Sequence, residues 1–202
     1  MINEKKNYNI KKILLAAGES KRFGDKNKLL HIMNGKPIIN HILDTLFEIF
    51  DPSELIVIVG HEQNIIKNLI FNKDIKILEN KDYRKGIGTS IALGVNNLNT
   101  DIDGVMIIPA DMPYINSKDL INLEKKFIEL NCVKVVMPEY NYRIGNPVIL
   151  PRNYFKTLKS LKDDFGAKSL IRKKDIITLK AEFGTIFDID TKEELAKTKT
   201  NY

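Results

Sequence analysis

No stretch of this chain approaches the roughly 18 apolar residues that a membrane span needs, and its opening, MINEKKNYNIKK, lacks the apolar block of a secretory signal. A single cysteine, Cys132, rules out an internal disulfide and any cysteine-based zinc site. It heads an apolar run through Met137 and reads as core packing in a protein of a reducing compartment. The histidines, His31, His41 and His61, are scattered with no metal-binding spacing, and no serine or cysteine stands in a nucleophile motif. There is no internal repeat, low-complexity segment or interdomain linker. The basic N-terminal part carries no interleaved aromatics and no recognised nucleic-acid module. These absences lead us to expect a cytoplasmic protein with neither a membrane nor a nucleic acid as partner.

What is present suits one α/β domain. The 202 residues are 43% apolar, enough for a real core. Lys plus Arg number 32 against 26 Asp plus Glu, a net charge of +6. Eight of the basic residues fall within positions 1–28 (Lys5, Lys6, Lys11, Lys12, Lys21, Arg22, Lys26, Lys28). Such a segment suits an anionic ligand such as a triphosphate, although a solvated lysine-rich surface reads the same way.

Apolar periodicity alternates along the chain. Strands are predicted over Ile10–Ala16, Leu55–Val59, Ile75–Leu78, Val105–Ile108 and Val133–Met137. Helices are predicted over Ile38–Phe50, Glu62–Ile70, Thr89–Leu98 and Ser117–Leu130, the last with Ser117 as its N-cap. This βαβαβαβαβ order predicts a three-layer, Rossmann-like fold, a mostly parallel wound sheet with helices on both faces. The last third is less regular. Tyr140–Arg143 reads as a hairpin tip and Pro147–Leu150 as a short strand. Tyr154–Leu161 and Ala167–Lys173 read as short helices, Ile176–Leu179 and Ile186–Ile189 as strands, and Thr191–Lys197 as a closing helix.

Four segments carry chemistry. Directly after the first strand runs Leu14 to Lys28, with Ala16-Ala17-Gly18 and then Arg22, Gly24 and Lys28. Small residues let backbone approach a ligand, and loop N–H groups can cradle phosphate oxygens. The loop is neither a Walker A motif nor a dinucleotide fingerprint. The second segment is Pro109-Ala110-Asp111-Met112-Pro113, which places a carboxylate just past a buried parallel strand, where α/β folds bind ligands. Mg²⁺ takes one or two carboxylates plus phosphate oxygens, so Asp111 is a natural ligand; capping the next turn is the alternative. The third runs from Arg84 to Val95, where Gly86, Gly88, Thr89 and Ser90 open a helix with free N–H groups or simply cap it. The fourth comprises Gly145-Asn146-Pro147-Val148, Leu161-Lys162-Asp163-Asp164-Phe165-Gly166-Ala167 and Asp188-Ile189-Asp190-Thr191.

Leu15 to Lys28 resembles the LAAG-x-S-x-R-x-G-x-x-K signature of MobA-like nucleotidyltransferases, with one extra residue before the lysine and Lys26 as the alternative match. The Pro-x-Asp-x-Pro segment, the Gly-x-Gly-x-Ser segment and the C-terminal motifs extend that resemblance over roughly residues 10–198. The resemblance implies a single nucleotidyltransferase domain over residues 1–202, with 1–9 a flexible N-terminal extension. It implies that Leu15, Ala16, Ala17, Gly18, Gly86, Gly88 and Ser90 bind the base and ribose. Arg22 and Lys28 would hold the triphosphate, and Asp111 with Asp190, Asp188 in reserve, would hold Mg²⁺. Arg143, Gly145, Asn146, Asp164 and Gly166 would face the acceptor.

Ala17 and Ala110 match the molybdenum cofactor cytidylyltransferase branch rather than the guanylyl branch. That implies CTP as nucleotide and molybdopterin or its Mo-bearing form as acceptor, with a molybdenum hydroxylase apo-enzyme as the downstream partner. Guanylyl transfer and sugar-1-phosphate nucleotidyl transfer are the alternatives, and a non-catalytic accessory factor for such a hydroxylase is the alternative from another class. The chain departs from the branch pattern at Asn146, usually His, and at Asp163, usually Gly. Asn146 keeps hydrogen-bonding capacity without a titratable charge.

Overall fold

The computed structural model describes residues 8–24, 27–191 and 194–195. Its main sheet is built on β1 (Ile10–Ala16), with β4 (Leu55–Val59) on one side and β6 (Gly104–Pro109) on the other, both parallel to it. Beyond β4 lies β5 (Lys76–Glu79), also parallel. Beyond β6 comes β9 (Val148–Pro151), antiparallel, then β7 (Val135–Tyr140), and β10 (Ile176–Lys180) parallel to β7. The order is β10-β7-β9-β6-β1-β4-β5, with the short β8 (Arg143–Ile144) paired to β7. A separate ribbon, β2 (Ile32–Met33) with β3 (Lys36–Pro37), was not legible in the sequence because it is only two residues a side.

Helices α1 (Ile38–Ile49) and α4 (Ser117–Glu129) cover one face, where Ile42, Leu46, Leu123 and Phe127 join Leu14, Val57 and Met106 in one buried cluster. α3 (Ile87–Asn96) and α5 (Phe155–Leu158) cover the other, where Ile91, Val95 and Leu158 meet Ile13, Ile58 and Ile107. Alternate residues of β1 therefore feed opposite layers, as a strand's period of two requires. α2 (Gln63–Asn68) is shorter than its apolar pattern predicts. The three-layer, mostly parallel architecture read from the alternation is the one observed; the insertion of β9 between β6 and β7 was not readable, since strand order is a long-range choice.

Four local expectations are corrected. The N-cap of α4 is Asn116, whose Oδ1 accepts the Asp119 N–H at 2.8 Å, and Ser117 is the first helical residue. The strand expected from Val133 starts at Val135, because Asn131 and Cys132 take left-handed backbone and Val133 is exposed. No strand forms over Ile186–Ile189. Phe183–Ile186 is a 3-10 turn, and the Ile189 N–H donates to the Asp111 carbonyl at 3.0 Å, so the alternating pattern packs on a loop rather than a strand. The predicted helices Tyr154–Leu161 and Ala167–Lys173 contract to α5 and to a 3-10 turn over Ala167–Leu170. Of the closing helix, residues 194–195 are helical and 192–193 and 196–202 lie outside the described residues, as do residues 1–7 of the expected extension. Asn9 is tied in by its N–H to Asp103 Oδ2 at 2.9 Å.

Lys12 is one of the basic residues associated above with an anionic ligand, yet it is only 2% exposed. It sits on the α1/α4 face of β1, ion-paired to Glu54 at 2.7 Å and Glu124 at 2.8 Å, with its ammonium 4.0 Å from the centre of the Phe50 ring. Burial pushes the Glu124 carboxyl up, against the pull of Lys12. Lys12 is a structural counter-charge, and Lys12→Ala is expected to cost about 3 kcal/mol of stability, through a cavity and two stranded carboxylates. The nucleotide KM should stay unchanged; a raised KM with unaltered Tm would overturn this placement.

Candidate active site

The sheet changes direction at β1. The chain leaves β1 for β4 and β5 on one side and returns to β6 on the other, so loops at the carboxyl ends of β1 and β6 diverge and leave a crevice. Open α/β sheets bind ligands at such a switch point. A cavity of about 480 Å³ lies there, lined by Leu15, Ala17 and Gly18 from the loop after β1, by Gly86 and Ser90 at the start of α3, and by Arg22, Lys28, Asp111, Asp164 and Asp190. Those ten sequence-predicted residues converge. Tyr83, Arg84 and Glu19 also line the cavity and were not foreseen.

The other predicted residues sit elsewhere. Ala16 is fully buried in the α1/α4 layer. Gly88 packs beneath the 162–165 segment: its N–H donates to the Asp163 carbonyl at 3.0 Å, so the first turn of α3 is capped by protein there. A Cβ at Gly86 or Gly88 would collide with the backbone of Asp163, which explains the two glycines as a close chain crossing. Gly166 caps the turn over Ala167–Leu170 and Arg143 is exposed on β8. Gly145 and Asn146 lie against Thr185, whose carbonyl accepts the Asn146 N–H at 2.7 Å. The β6–β9 register pairs Ile107 with Val148. Asn146 precedes β9 by two residues, at the end where Val148 meets Ile107 near the carboxyl end of β6.

Local backbone chemistry holds the walls together. The carbonyl of Leu15 accepts from Ala110 N at 3.1 Å and that of Ala17 from His61 N at 3.1 Å, which ties the loop after β1 to the ends of both neighbouring strands. Two asparagines that sequence reasoning missed set the side chains. Asn27 is fully buried, caps the turn that carries Lys28 by accepting from Leu29 N at 3.1 Å, and so fixes where the lysine emerges. Asn80 donates to both Thr89 Oγ1 and Ser90 Oγ at 2.8 Å, and orients the hydroxyls at the start of α3. An isolated asparagine in a loop gives no periodic signal, so neither was detectable. Lys26, the alternative match for Lys28, lies outside the described residues.

The centre of the site is electrostatic. Lys28 Nζ lies 2.6 Å from Asp111 Oδ2 and 2.7 Å from Asp190 Oδ1, while Arg22 reaches Asp190 Oδ2 at 2.7 Å. Burial pulls the Lys28 ammonium down, but Asp111 and Asp190 outweigh it and hold the group above the ordinary lysine range. Asp111, Asp188 and Asp190 bring one carboxylate oxygen each within 4.8 Å of one another. Asp188 is exposed at its outer edge, yet crowding by the surrounding chain raises its carboxyl pKa, and the charges of Asp111 and Asp190 raise it further. The buried Oδ1 of Asp111 has no hydrogen-bond partner. An all-oxygen donor set with an orphaned carboxylate oxygen fits a hard divalent cation.

Because its acid form is favoured in the fold, Asp188 contributes a stability that is present below the unfolded carboxyl value and is lost as pH rises through the raised one. Asp188→Asn should therefore raise Tm slightly in EDTA at neutral pH, by no more than about 1 kcal/mol equivalent for so exposed a group. A fall in Tm under those conditions would contradict like-charge crowding at the centre.

A switch-point cavity with a lysine, an arginine and carboxylates at its rim suits a phosphorylated ligand together with a divalent cation. More narrowly, residues 12–177 match the MobA-like NTP transferase domain, and the chain belongs to that family. Curated relatives include the bifunctional protein GlmU of Thermosipho africanus, 33% identical over 124 residues, 60% of this chain and 26% of that protein. The GlmU of Koribacter versatilis is 31% identical over 105 residues, 52% of this chain and 22% of the relative. This chain thus spans about a quarter of the length of those curated relatives. Among solved structures, Rv0371c of Mycobacterium tuberculosis superposes with a TM-score of 0.81 at 20% identity, covering 94% of this chain and 96% of the other. The same protein in complex with manganese gives 0.78 at 18% identity, covering 96% and 100%. The 4-diphosphocytidyl-2C-methyl-D-erythritol synthase of Anaerococcus prevotii gives 0.72 at 15% identity, covering 94% of both chains. At these identities the structures attest the fold. Among the described residues, no helix is long and apolar enough to cross a membrane.

Proposed function

We propose that this nucleotidyltransferase moves CMP from CTP to molybdopterin or Mo-molybdopterin, with Mg²⁺, and releases pyrophosphate. The observation that carries the transfer chemistry is the centre formed by Lys28, Asp111, Asp188 and Asp190 at the rim of the switch-point cavity. The choice of CTP and of acceptor rests on the sequence resemblance at Ala17 and Ala110. A molybdenum hydroxylase apo-enzyme would then receive the product.

The triphosphate would lie along the loop after β1, its β- and γ-phosphates on Arg22 and Lys28. Asp111, with Asp190 and Asp188, would hold Mg²⁺, which when bound neutralises charge on the phosphate oxygens. The manganese complex of Rv0371c, a fold neighbour, supports a divalent ion in this architecture. An oxygen of the acceptor phosphate attacks the α-phosphorus. The α–β bridging bond breaks and pyrophosphate leaves toward Arg22 and Lys28. Both reactants are anionic, so the protein's work is neutralisation and alignment. Asp164 at the cavity rim and Asn146 at the end of β9 would border the acceptor, with Arg143, Gly145 and Gly166 around them.

A second reading is sugar-1-phosphate nucleotidyl transfer, favoured by the GlmU relatives. Pyrophosphate release by the purified chain with Mg²⁺, using each of CTP, GTP, ATP and UTP against molybdopterin and against hexose 1-phosphates, separates the two. Release with CTP and molybdopterin is expected. Release only with a hexose 1-phosphate would replace the first reading by the second, and none with any pair would remove both.

A further inference from the structure

A second cavity lies behind the wall of the nucleotide cavity. Its volume is about 570 Å³, within the range of small-molecule sites. Ala92 and Leu93 of α3, with Leu161, give it an apolar floor, and its rim is charged. Part of that charge is already engaged: Glu79 is ion-paired to Lys67, and Asp82 to Lys85 at 2.9 Å. Lys81, Lys162 and Asp163 also line the cavity, and among the described residues they take part in no ion pair. Asp163 holds a left-handed backbone, with φ 53°, where glycine would sit without strain. An aspartate kept at such a position brings to the cavity a carboxylate that glycine would not supply. Two ammoniums and one carboxylate therefore stand open above an apolar floor.

The two cavities share their wall. Lys85 lines both, while Asp163 lines this one and Asp164 the nucleotide cavity. Asn80 Nδ2 donates at 2.8 Å to Thr89 Oγ1, in this cavity, and at 2.8 Å to Ser90 Oγ, in the other. The 162–165 segment meets the start of α3 backbone to backbone, since a Cβ at Gly86 would lie 2.4 Å from the Asp163 carbonyl. With no slack at that crossing, whatever holds Asp163 in place also holds the start of α3. We propose that this second cavity is an effector site for a small amino-bearing organic anion, and that its occupancy tightens nucleotide binding. The anionic group would meet Lys81 and Lys162, the amino group Asp163, and the apolar body Leu93 and Leu161. The nucleotide gains because a wall that is already ordered loses less freedom when it closes on a second ligand. The site is distinct from those of both reactants in the proposed transfer.

Anthranilate is the probe, a fluorescent flat ring that carries a carboxylate and an amine. The chain contains no tryptophan, so its emission can be followed without indole background. The titration is made with the nucleotide cavity already filled by a non-hydrolysable CTP analogue and Mg²⁺. Saturable binding is expected. Lys81→Glu should weaken it about tenfold, leaving Tm and the affinity for the analogue alone unchanged, and Lys162→Glu should add to the loss. Benzoate, which lacks the amine, should displace the probe from wild type only at higher concentration. That gap should close in Asp163→Gly, which a merely structural role for the aspartate would not bring about. Saturating anthranilate should lower the Kd of the analogue about fivefold, and the analogue should lower that of anthranilate by the same factor. No saturable binding, or binding that both charge reversals leave untouched, would overturn the site. A Kd for the analogue that anthranilate leaves unmoved or raises would overturn the coupling. An analogue that fails to bind at all would sink the nucleotide reading and the coupling with it, while anthranilate titration of the free protein would still decide the second cavity.

Discussion

Lys28→Met should move two affinities in opposite directions: nucleotide binding weakens by about two orders of magnitude, while Mn²⁺ binding to the nucleotide-free protein tightens. The reason lies in the ion pairs of the centre. Lys28 stands between Asp111 and Asp190 at 2.6 and 2.7 Å, with its ammonium held protonated by those same carboxylates. It occupies the electrostatic position that a divalent cation would take, so a metal arriving alone must displace it. On the proposed reading a triphosphate would give Lys28 and Arg22 new partners and free both aspartates, so metal and nucleotide should each improve the other's binding, by the same factor. Loss of a charge-assisted contact to phosphate accounts for a weakening of about 2–3 kcal/mol. Calorimetric titration of Mn²⁺ with and without a non-hydrolysable triphosphate reads both effects. If Lys28→Met leaves the affinity for Mn²⁺ alone unchanged or lower, the lysine does not compete with the ion.

Asp111→Asn should lower turnover by about three orders of magnitude, corresponding to roughly 4 kcal/mol of lost transition-state stabilisation. Asp111 combines the donor position past β6, an orphaned Oδ1, and a backbone carbonyl that also holds Ile189 and with it the Asp188–Asp190 segment. The amide preserves size and that backbone bond, so the fold should persist with Lys28 still paired to Asp190. Circular dichroism checks the fold, and pyrophosphate release checks the chemistry. Full turnover in Asp111→Asn would remove Asp111 from the metal set and leave Asp188 and Asp190 to explain the site.

The two experiments are complementary. Lys28 and Asp111 are ion-paired partners, and a double variant should show non-additive losses because each single change already breaks the shared contact. The Asp188→Asn result in EDTA gives a third view of the same centre, since it reports repulsion among carboxylates in the absence of any cation.

Much of this was written locally in the chain. The continuous β-branched run Leu55–Val59 reads as a strand buried on both faces, and the short apolar run Val105–Ile108 as the next strand. Alternating with amphipathic stretches, they required helices on both sides of a parallel sheet. The loop after β1 and the carboxylate after β6 were readable for the same reason: each follows a recognisable strand, and strand ends are where such folds place ligand groups. Ser117 as cap failed by one residue, because asparagine and serine compete for the same N–H and only the backbone angle of Asn116 decides.

The tertiary structure alone decided the rest, and in each case the cause is a contact between residues far apart in sequence. Lys12 and Lys28 were both counted in the basic N-terminal segment, and their charge alone did not separate them. One is sealed into the α1/α4 face by Glu54 and Glu124, and the other is presented by Asn27 to Asp111 and Asp190. Gly88 resembled a ligand-binding glycine, but it is required by the crossing of the 162–165 segment over the start of α3. The resemblance put Asp190 ahead of Asp188 as a ligand, and the fold brings both to Asp111 through a segment that packs across the sheet end instead of joining it. Period and local propensity determine elements and their faces. Which charges meet is set by how those elements pack, and that information is carried by no single stretch of the chain.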